Sequence, residues 1–163
     1  AMSSAPSDSD ILHASAVAID GQGVILLGPS GSGKSSLAAR LIEAYDAALI
    51  GDDRLKLSRQ GEQILARPHE ALRGLIEMRG LGLVRRPYIE EATLSLAVAL
   101  VAREVVPRMA AADYFSHAGA RIARLHLHAH DSATPLIIHT ALQTLGAMAA
   151  KNNGFSNDGI YEI

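Results

Sequence analysis

The sequence has no cysteine and no tryptophan. Without cysteine there can be no disulfide framework, no thiol catalysis and no cysteine-ligated zinc, and a reducing compartment suits such a chain, so the cytoplasm is the expected location. Aromatic residues are sparse as well, with two Phe and four Tyr, which leaves the core to aliphatic side chains and alanine. No run approaches the ~18 apolar residues of a membrane span, nor does the N-terminal stretch have the basic-then-apolar layout of a signal peptide. An excess of one charge is missing too. Fifteen Lys+Arg against seventeen Asp+Glu give a net charge of -2, with no basic field to attract nucleic acid or an anionic membrane.

What is present suits one globular domain. The chain has 163 residues, 48% hydrophobic and 20% charged, enough apolar surface for a sizeable core and too much for disorder. Ala1-Met2 has the look of a cleavage scar, and residues 1–10 read as a loose polar arm. Residues 11–151 carry the patterned sequence, and 152–163 form a polar, glycine-containing tail. Ten of the fourteen glycines lie between Gly21 and Gly82, so that span needs unusual backbone geometry.

Leu12 to Ile19 and Val24 to Leu27, split by Asp20-Gly21-Gln22-Gly23, read as a hairpin. A glycine-rich loop follows, then helical spacing over Ser35 to Tyr45 with Leu37, Leu41 and Ile42 on one face. Ala47 to Ile50 is an apolar strand ending on Asp52-Asp53, so strand, loop, helix and strand make a βαβ unit and imply parallel pairing with crossover helices. Leu55 to Leu57 and Gln63 to Ala66 read as a second hairpin, and Pro68 to Gly74 as a loop or short helix. Leu94 to Val101 is a buried strand by its alternation, although its alanines and leucines would also suit a helix. Ile122 to His128 alternates as a strand. Thr134 to Ala150 is a helix with Pro135 in its first turn, where proline is tolerated. The expected fold is α/β: a single P-loop NTPase-like domain with a mainly parallel or mixed sheet, crossover helices and an N-terminal hairpin.

Gly28-Pro29-Ser30-Gly31-Ser32-Gly33-Lys34-Ser35 satisfies G-x-x-x-x-G-K-[ST] between an apolar strand and a helix, the context its mechanism requires. Glycines turn backbone N–H groups inward around phosphates, and the helix N-terminus adds partial positive charge. Lys34 reaches the outer phosphates, and the Ser35 hydroxyl ligates Mg²⁺. Nucleotide binding is the firmest functional expectation. Asp52-Asp53 lies at the carboxyl end of a strand, where open α/β sheets bind ligands. Neighbouring residues point to opposite sides, so one carboxylate would act as base near the γ-phosphate and the other face Mg²⁺ or a structural partner. A solvated turn is the plainer alternative for this pair.

These residues resemble the catalytic domain of HPr kinase/phosphorylase, the family that phosphorylates a seryl residue of the phosphocarrier protein HPr. The resemblance rests on His13 ahead of the loop, the loop itself, Gly51-Asp52-Asp53, and Ile76-Glu77-Met78-Arg79-Gly80-Leu81-Gly82-Leu83, which is similar to the signature E-[IV]-R-G-L-G-I; it covers roughly Leu12 to Leu100. It implies an ATP- and Mg²⁺-dependent protein serine kinase acting on HPr, with possible reverse phosphorylase activity. Asp52 would be the proton acceptor, Lys34 and His13 would contact phosphate, and Ser35, Glu77 and Asp53 would hold Mg²⁺. Arg108, in Pro107-Arg108-Met109, is the nearest equivalent of a further arginine the family uses, and a surface arginine is the alternative reading. The family is typically hexameric, which implies a homo-oligomer. The chain resembles the family's short form, without the N-terminal domain of the long one. The basic P-V-[RK]-x-G-R-N segment tied to dephosphorylation is replaced by Leu125-His-Leu-His-Ala-His-Asp-Ser-Ala-Thr-Pro135, so kinase activity is expected more than phosphorylase activity. A catalytically weak nucleotide-binding module that regulates a partner is the runner-up, and a small-molecule P-loop kinase a third reading. His126, His128 and His130 would share one face of an extended strand, where ~7 Å between successive side chains is too wide for one metal ion without a bend; a polar face, or a mildly phosphate-seeking substitute for the missing basic segment, is the favoured reading.

Overall fold

A computed structural model describes residues 11–148 of the chain. The first elements are β1 (Ile11–Leu12), β2 (Ser15–Ile19) and β3 (Gln22–Leu27). Strands β2 and β3 form the expected hairpin, closed by Asp20 and Gly21 with φ of 49° and 80°. Positive φ at both central positions matches the right-handed twist of the flanking strands. Helix α1 (Lys34–Tyr45) and β4 (Ala48–Gly51) follow, then the hairpin β5 (Leu55–Gln60) and β6 (Gln63–Pro68), longer at both strands than its apolar residues alone suggest. A separate two-stranded sheet pairs β7 (Leu75–Met78) with β8 (Gly82–Arg85). The last elements are β9 (Ala92–Leu100), β10 (Tyr114–His117), β11 (Ala120–Leu127) and α2 (Thr134–Met148). The predicted strand over Leu94 to Val101 and the predicted helix from Thr134 are both present; Ala149 and Ala150 lie outside the described residues.

The main sheet runs in the order β1-β5-β6-β9-β3-β2-β4, with β11 paired to β9 and β10 to β11. It is mixed. Among the described strands, only β3 with β9 and β9 with β11 pair in parallel. The unit β3-α1-β4 departs from the expected adjacent parallel pair: β2 lies between the two strands and is antiparallel to both. Strands β3 and β4 therefore still point the same way. The carboxyl ends of β3, β4, β9 and β11 and the start of β2 fall on one edge of the sheet, the edge at which open α/β sheets bind ligands.

Alternation along β2 and β3 explains the two-sided burial. Val17, Ile19, Val24 and Leu26 face the helices and meet Leu37, Leu41, Ile138 and Leu142. Ala16, Ala18 and Ile25 face the other way and meet Leu55, Leu57, Ile64 and Ala66, because the curled sheet folds its β5-β6 half over them. Burial on both faces gives the near-continuous apolar run from Ala14. At the far edge, the segment 87–89 closes β4: Leu49 donates its N–H to Pro87 and accepts one from Ile89, which removes an open strand edge.

Candidate active site

The residues 28–33 leave the end of β3 and run into α1, whose N-cap is Gly33 at φ 100°. Two glycines here are dictated by their neighbours. A Cβ at Gly28 would meet the Ser32 hydroxyl at 2.5 Å, and one at Gly33 would meet the Ala129 Cβ at 2.8 Å in a left-handed backbone conformation that disfavours side chains. Lys34 is 8% exposed. Its ammonium folds back on the loop and donates to the carbonyls of Gly28 and Pro29 at 2.7 and 3.0 Å. An ammonium has three donors, so one remains for a further acceptor. The Ser32 hydroxyl is buried inside the loop with no partner, an orphan polar group of the kind a ligand phosphate oxygen would satisfy.

Asp52, just past β4, is 6% exposed and gathers the site around its carboxylate. Oδ1 accepts from the Ser35 and Ser15 hydroxyls, each at 2.7 Å, and Oδ2 accepts the backbone N–H of Glu77 at 3.1 Å. Three distant stretches of chain meet on this one group: the start of α1, the start of β2, and β7. Ser15 also accepts the N–H of Asp53 at 3.3 Å. Asp53 itself is exposed, with φ of 69°, a conformation that aspartate tolerates better than most residues.

The structure thus brings Lys34, Ser35, Asp52 and the backbone of Glu77 together. The Glu77 side chain is exposed on β7, where buried Ile76 packs the small sheet into the helix-side core. His13 is exposed in the corner between β1 and β2, two residues ahead of Ser15. Arg108 is exposed and lines a cavity of about 320 Å³ with Arg124, His126 and Ile137, a lining that includes neither Asp52 nor its partners Ser15, Ser35 and Glu77.

One participant was not singled out in the sequence. Ser15 is fully buried in an otherwise apolar strand, and a lone hydroxyl among alanines is the signal that could have found it. His130 was singled out only as one of a row of three. β11 ends at Leu127, so the three histidines do not share one face. His126 points to Asp113 with Nε2 3.6 Å from Oδ2, and the His128 Nδ1 lies 3.0 Å from the Val101 carbonyl. The His130 ring stands against Gly33, with Cε1 and Nε2 each 3.1 Å from where a Cβ would sit. Its loop is held on α1 by Arg40, which donates to the carbonyls of Ala129 and Asp131. Asp131 accepts from the Ala133 N–H and pairs with Arg103; these hold its carboxyl below the usual range.

Among the described residues no three His, Asp or Glu side chains form a metal cluster. The oxygen donors of Ser35 and Asp52 nevertheless suit Mg²⁺, which takes one or two protein carboxylates and completes its shell with phosphates and water.

Residues 5–105, more than half of the chain, match the model of the HPr serine kinase C-terminal domain. The chain belongs to that family. The match spans His13, the phosphate loop, Asp52 and Glu77, and stops before Arg108, His126, His128 and His130. HPr kinase/phosphorylase of Mycoplasma mycoides subsp. mycoides SC is 44% identical over 71 residues, which are 44% of this chain and 22% of that protein. That of Mycoplasma genitalium is 37% identical over 100 residues, 57% of this chain and 32% of that protein. The chain spans about a third or less of the length of these curated relatives. Among solved structures, the Hpr(Ser) kinase/phosphatase from Coxiella burnetii shares the fold at a TM-score of 0.75, over 86% of this chain and 92% of that one, with 22% identity. The HPr serine kinase fold therefore includes the curled mixed sheet described above.

Proposed function

We propose that this chain binds ATP with Mg²⁺ and transfers the γ-phosphoryl group to a seryl hydroxyl of HPr, the substrate that the names of its relatives carry. The observation that supports it most is the joining of the phosphate loop to Asp52 through the Ser35 hydroxyl. In P-loop enzymes the loop Ser/Thr and an aspartate at the end of a neighbouring strand share the cation. Bound Mg²⁺ would supply charge neutralisation at the β- and γ-phosphates.

The chain's own groups then divide the remaining work. Backbone N–H groups of the loop and the free donor of Lys34 bind phosphate oxygens. Ser15 and the Glu77 N–H fix the Asp52 carboxylate in place, and fixed positioning is most of what phosphoryl transfer asks of a protein. The family resemblance gives the proton acceptor to Asp52. The hydrogen bonds favour the opposite division: Asp52, buried and held by Ser35, stands on the cation side. Asp53, exposed beside it, would take the proton of the serine hydroxyl as its oxygen bonds to phosphorus and the bond to ADP breaks. Glu77 and His13 would complete the cation and phosphate contacts from β7 and from the β1-β2 corner. Arg108 would act from the rim on the incoming protein. In the reverse direction the same aspartate would donate the proton.

The test is transfer of label from γ-labelled ATP to HPr by the parent chain and by Asp52→Asn and Asp53→Asn. No transfer by the parent contradicts the function. With transfer established, Asp53→Asn should lose at least about a hundredfold in rate with little change in Mg²⁺-ATP binding, in the range of a lost general base. Asp52→Asn should lose Mg²⁺-dependent binding as well. Full rate in Asp53→Asn would return the base to Asp52.

A further inference from the structure

The loop after β11 is built against the phosphate loop. The Thr134 hydroxyl donates to the His128 carbonyl at 2.6 Å, the Ala133 N–H donates to Asp131, and Arg40 on α1 holds the carbonyls of Ala129 and Asp131. Arg103 adds an ion pair to Asp131 at 2.7 Å. These bonds fix the segment 128–134 from both ends and from the side. They leave one ring, His130, exposed at the mouth of the site and pressed on Gly33. Gly33 is the last loop residue before Lys34, and its backbone belongs to the turn that presents N–H groups to phosphate. Beside the ring a cavity of about 690 Å³ opens along α1, lined by His130, Arg40, Ser132 and Met78.

On the reading that this loop holds a nucleotide, we propose that His130 is a further phosphate-binding residue, whose Nε2–H donates to a phosphate oxygen of the bound nucleotide. Three features carry this. The ring stands 3.1 Å from where a Gly33 Cβ would sit, beside the backbone that would touch the phosphates. It is exposed, so a ligand can reach it. Its loop is held by Arg40, Thr134 and Arg103, so little ordering is required when the ligand arrives. The matched family stretch ends at residue 105, so this contact comes from a segment that the family match does not reach. A ring that only wedged the loop in shape would need no donor, and substitution separates the two roles.

Binding of Mg²⁺-ATP would be measured by calorimetry for the parent chain, His130→Phe and His130→Gln. Each variant would first be checked for an unchanged melting temperature, and a Leu variant would replace Phe if that ring unsettles the loop. Phe keeps a flat wedge and removes the donor; Gln keeps a donor and removes the ring. Affinity should fall about tenfold in the Phe variant, as for one charge-assisted hydrogen bond, and return to within about threefold of the parent in the Gln variant. Parent-like affinity in the Phe variant, or equal losses in both, would overturn the proposal while leaving nucleotide binding intact. Absence of binding by the parent would instead overturn the nucleotide reading and this contact with it.

Discussion

Gly33 shows how tightly single residues are constrained here. Its φ of 100° and the 2.8 Å approach of a notional Cβ to Ala129 leave no room for a methyl group. Gly33→Ala is expected to lower stability by about 1–3 kcal/mol, the cost of a side chain in a strained backbone region, and to weaken Mg²⁺-ATP binding at least tenfold. Thermal melting and calorimetry would show both. Such residues were readable in the sequence because their chemistry is local: the spacing from Gly28 to Ser35 encodes a backbone shape. Ser15 was not readable, and the histidine row was readable only as a general attraction for phosphate, not as the one ring that stands at the loop. Both placements depend on which strand ends meet at one edge, and nothing in Ala14-Ser15-Ala16 or in the histidine row states that. The adjacency of Asp52 and Asp53 announced two roles, but only the hydrogen bonds to Ser35 and Ser15 favour one assignment.

At the level of elements, α1 is held on the sheet by Leu37, Leu41 and Ile42, which the helical spacing had identified and which are all buried. Leu41→Ala should cost about 2–5 kcal/mol, seen as a lower urea midpoint, and because α1 begins in the phosphate loop it should also weaken nucleotide binding. The β10-β11 pair is held by electrostatics as well as by its ladder. Arg124 grips Asp113 with Nε and a second nitrogen at 2.8 and 3.2 Å. That hydrogen bond, first among its causes, holds the Asp113 carboxyl below its ordinary range, with Tyr114 and His126 adding to the effect and burial opposing it. A carboxyl lowered on folding stabilises the fold above its unfolded value of about 3.9, and the gain fades as pH falls through the folded value. The parent should therefore exceed Asp113→Asn in stability near pH 6 by under about 1 kcal/mol, since the pair is one-third exposed. That difference should begin to shrink as the pH falls below about 3.9 and vanish only once it is below the folded value, as chemical denaturation near pH 6 and in stronger acid would show. β10 itself was missed in the sequence because Tyr114-Phe115-Ser116-His117 is too short to show an alternating pattern.

For the whole molecule, most of the elements of the main sheet and both α-helices were legible, whereas β7, β8, β10 and the order of strands in the sheet were not. A βαβ reading of β3-α1-β4 was right in strand direction, yet β2 occupies the place between them. The inserted strand arises from the β2-β3 hairpin, which was itself recognised; two correct local readings still leave open which edge the hairpin takes. The consequence is functional, since inserting β2 is what brings Ser15 to Asp52. The same topology gathers the ends of four strands around the phosphate loop, so a chain that matches only about a third or less of the length of its curated relatives still brings Lys34, Ser35 and Asp52 together. The most direct measurement of its proposed activity is the intact mass of HPr after incubation with this chain, ATP and Mg²⁺. The account predicts one added phosphoryl group on HPr and none on an HPr whose target serine is alanine; an HPr left unmodified, or equal modification of both proteins, would contradict it.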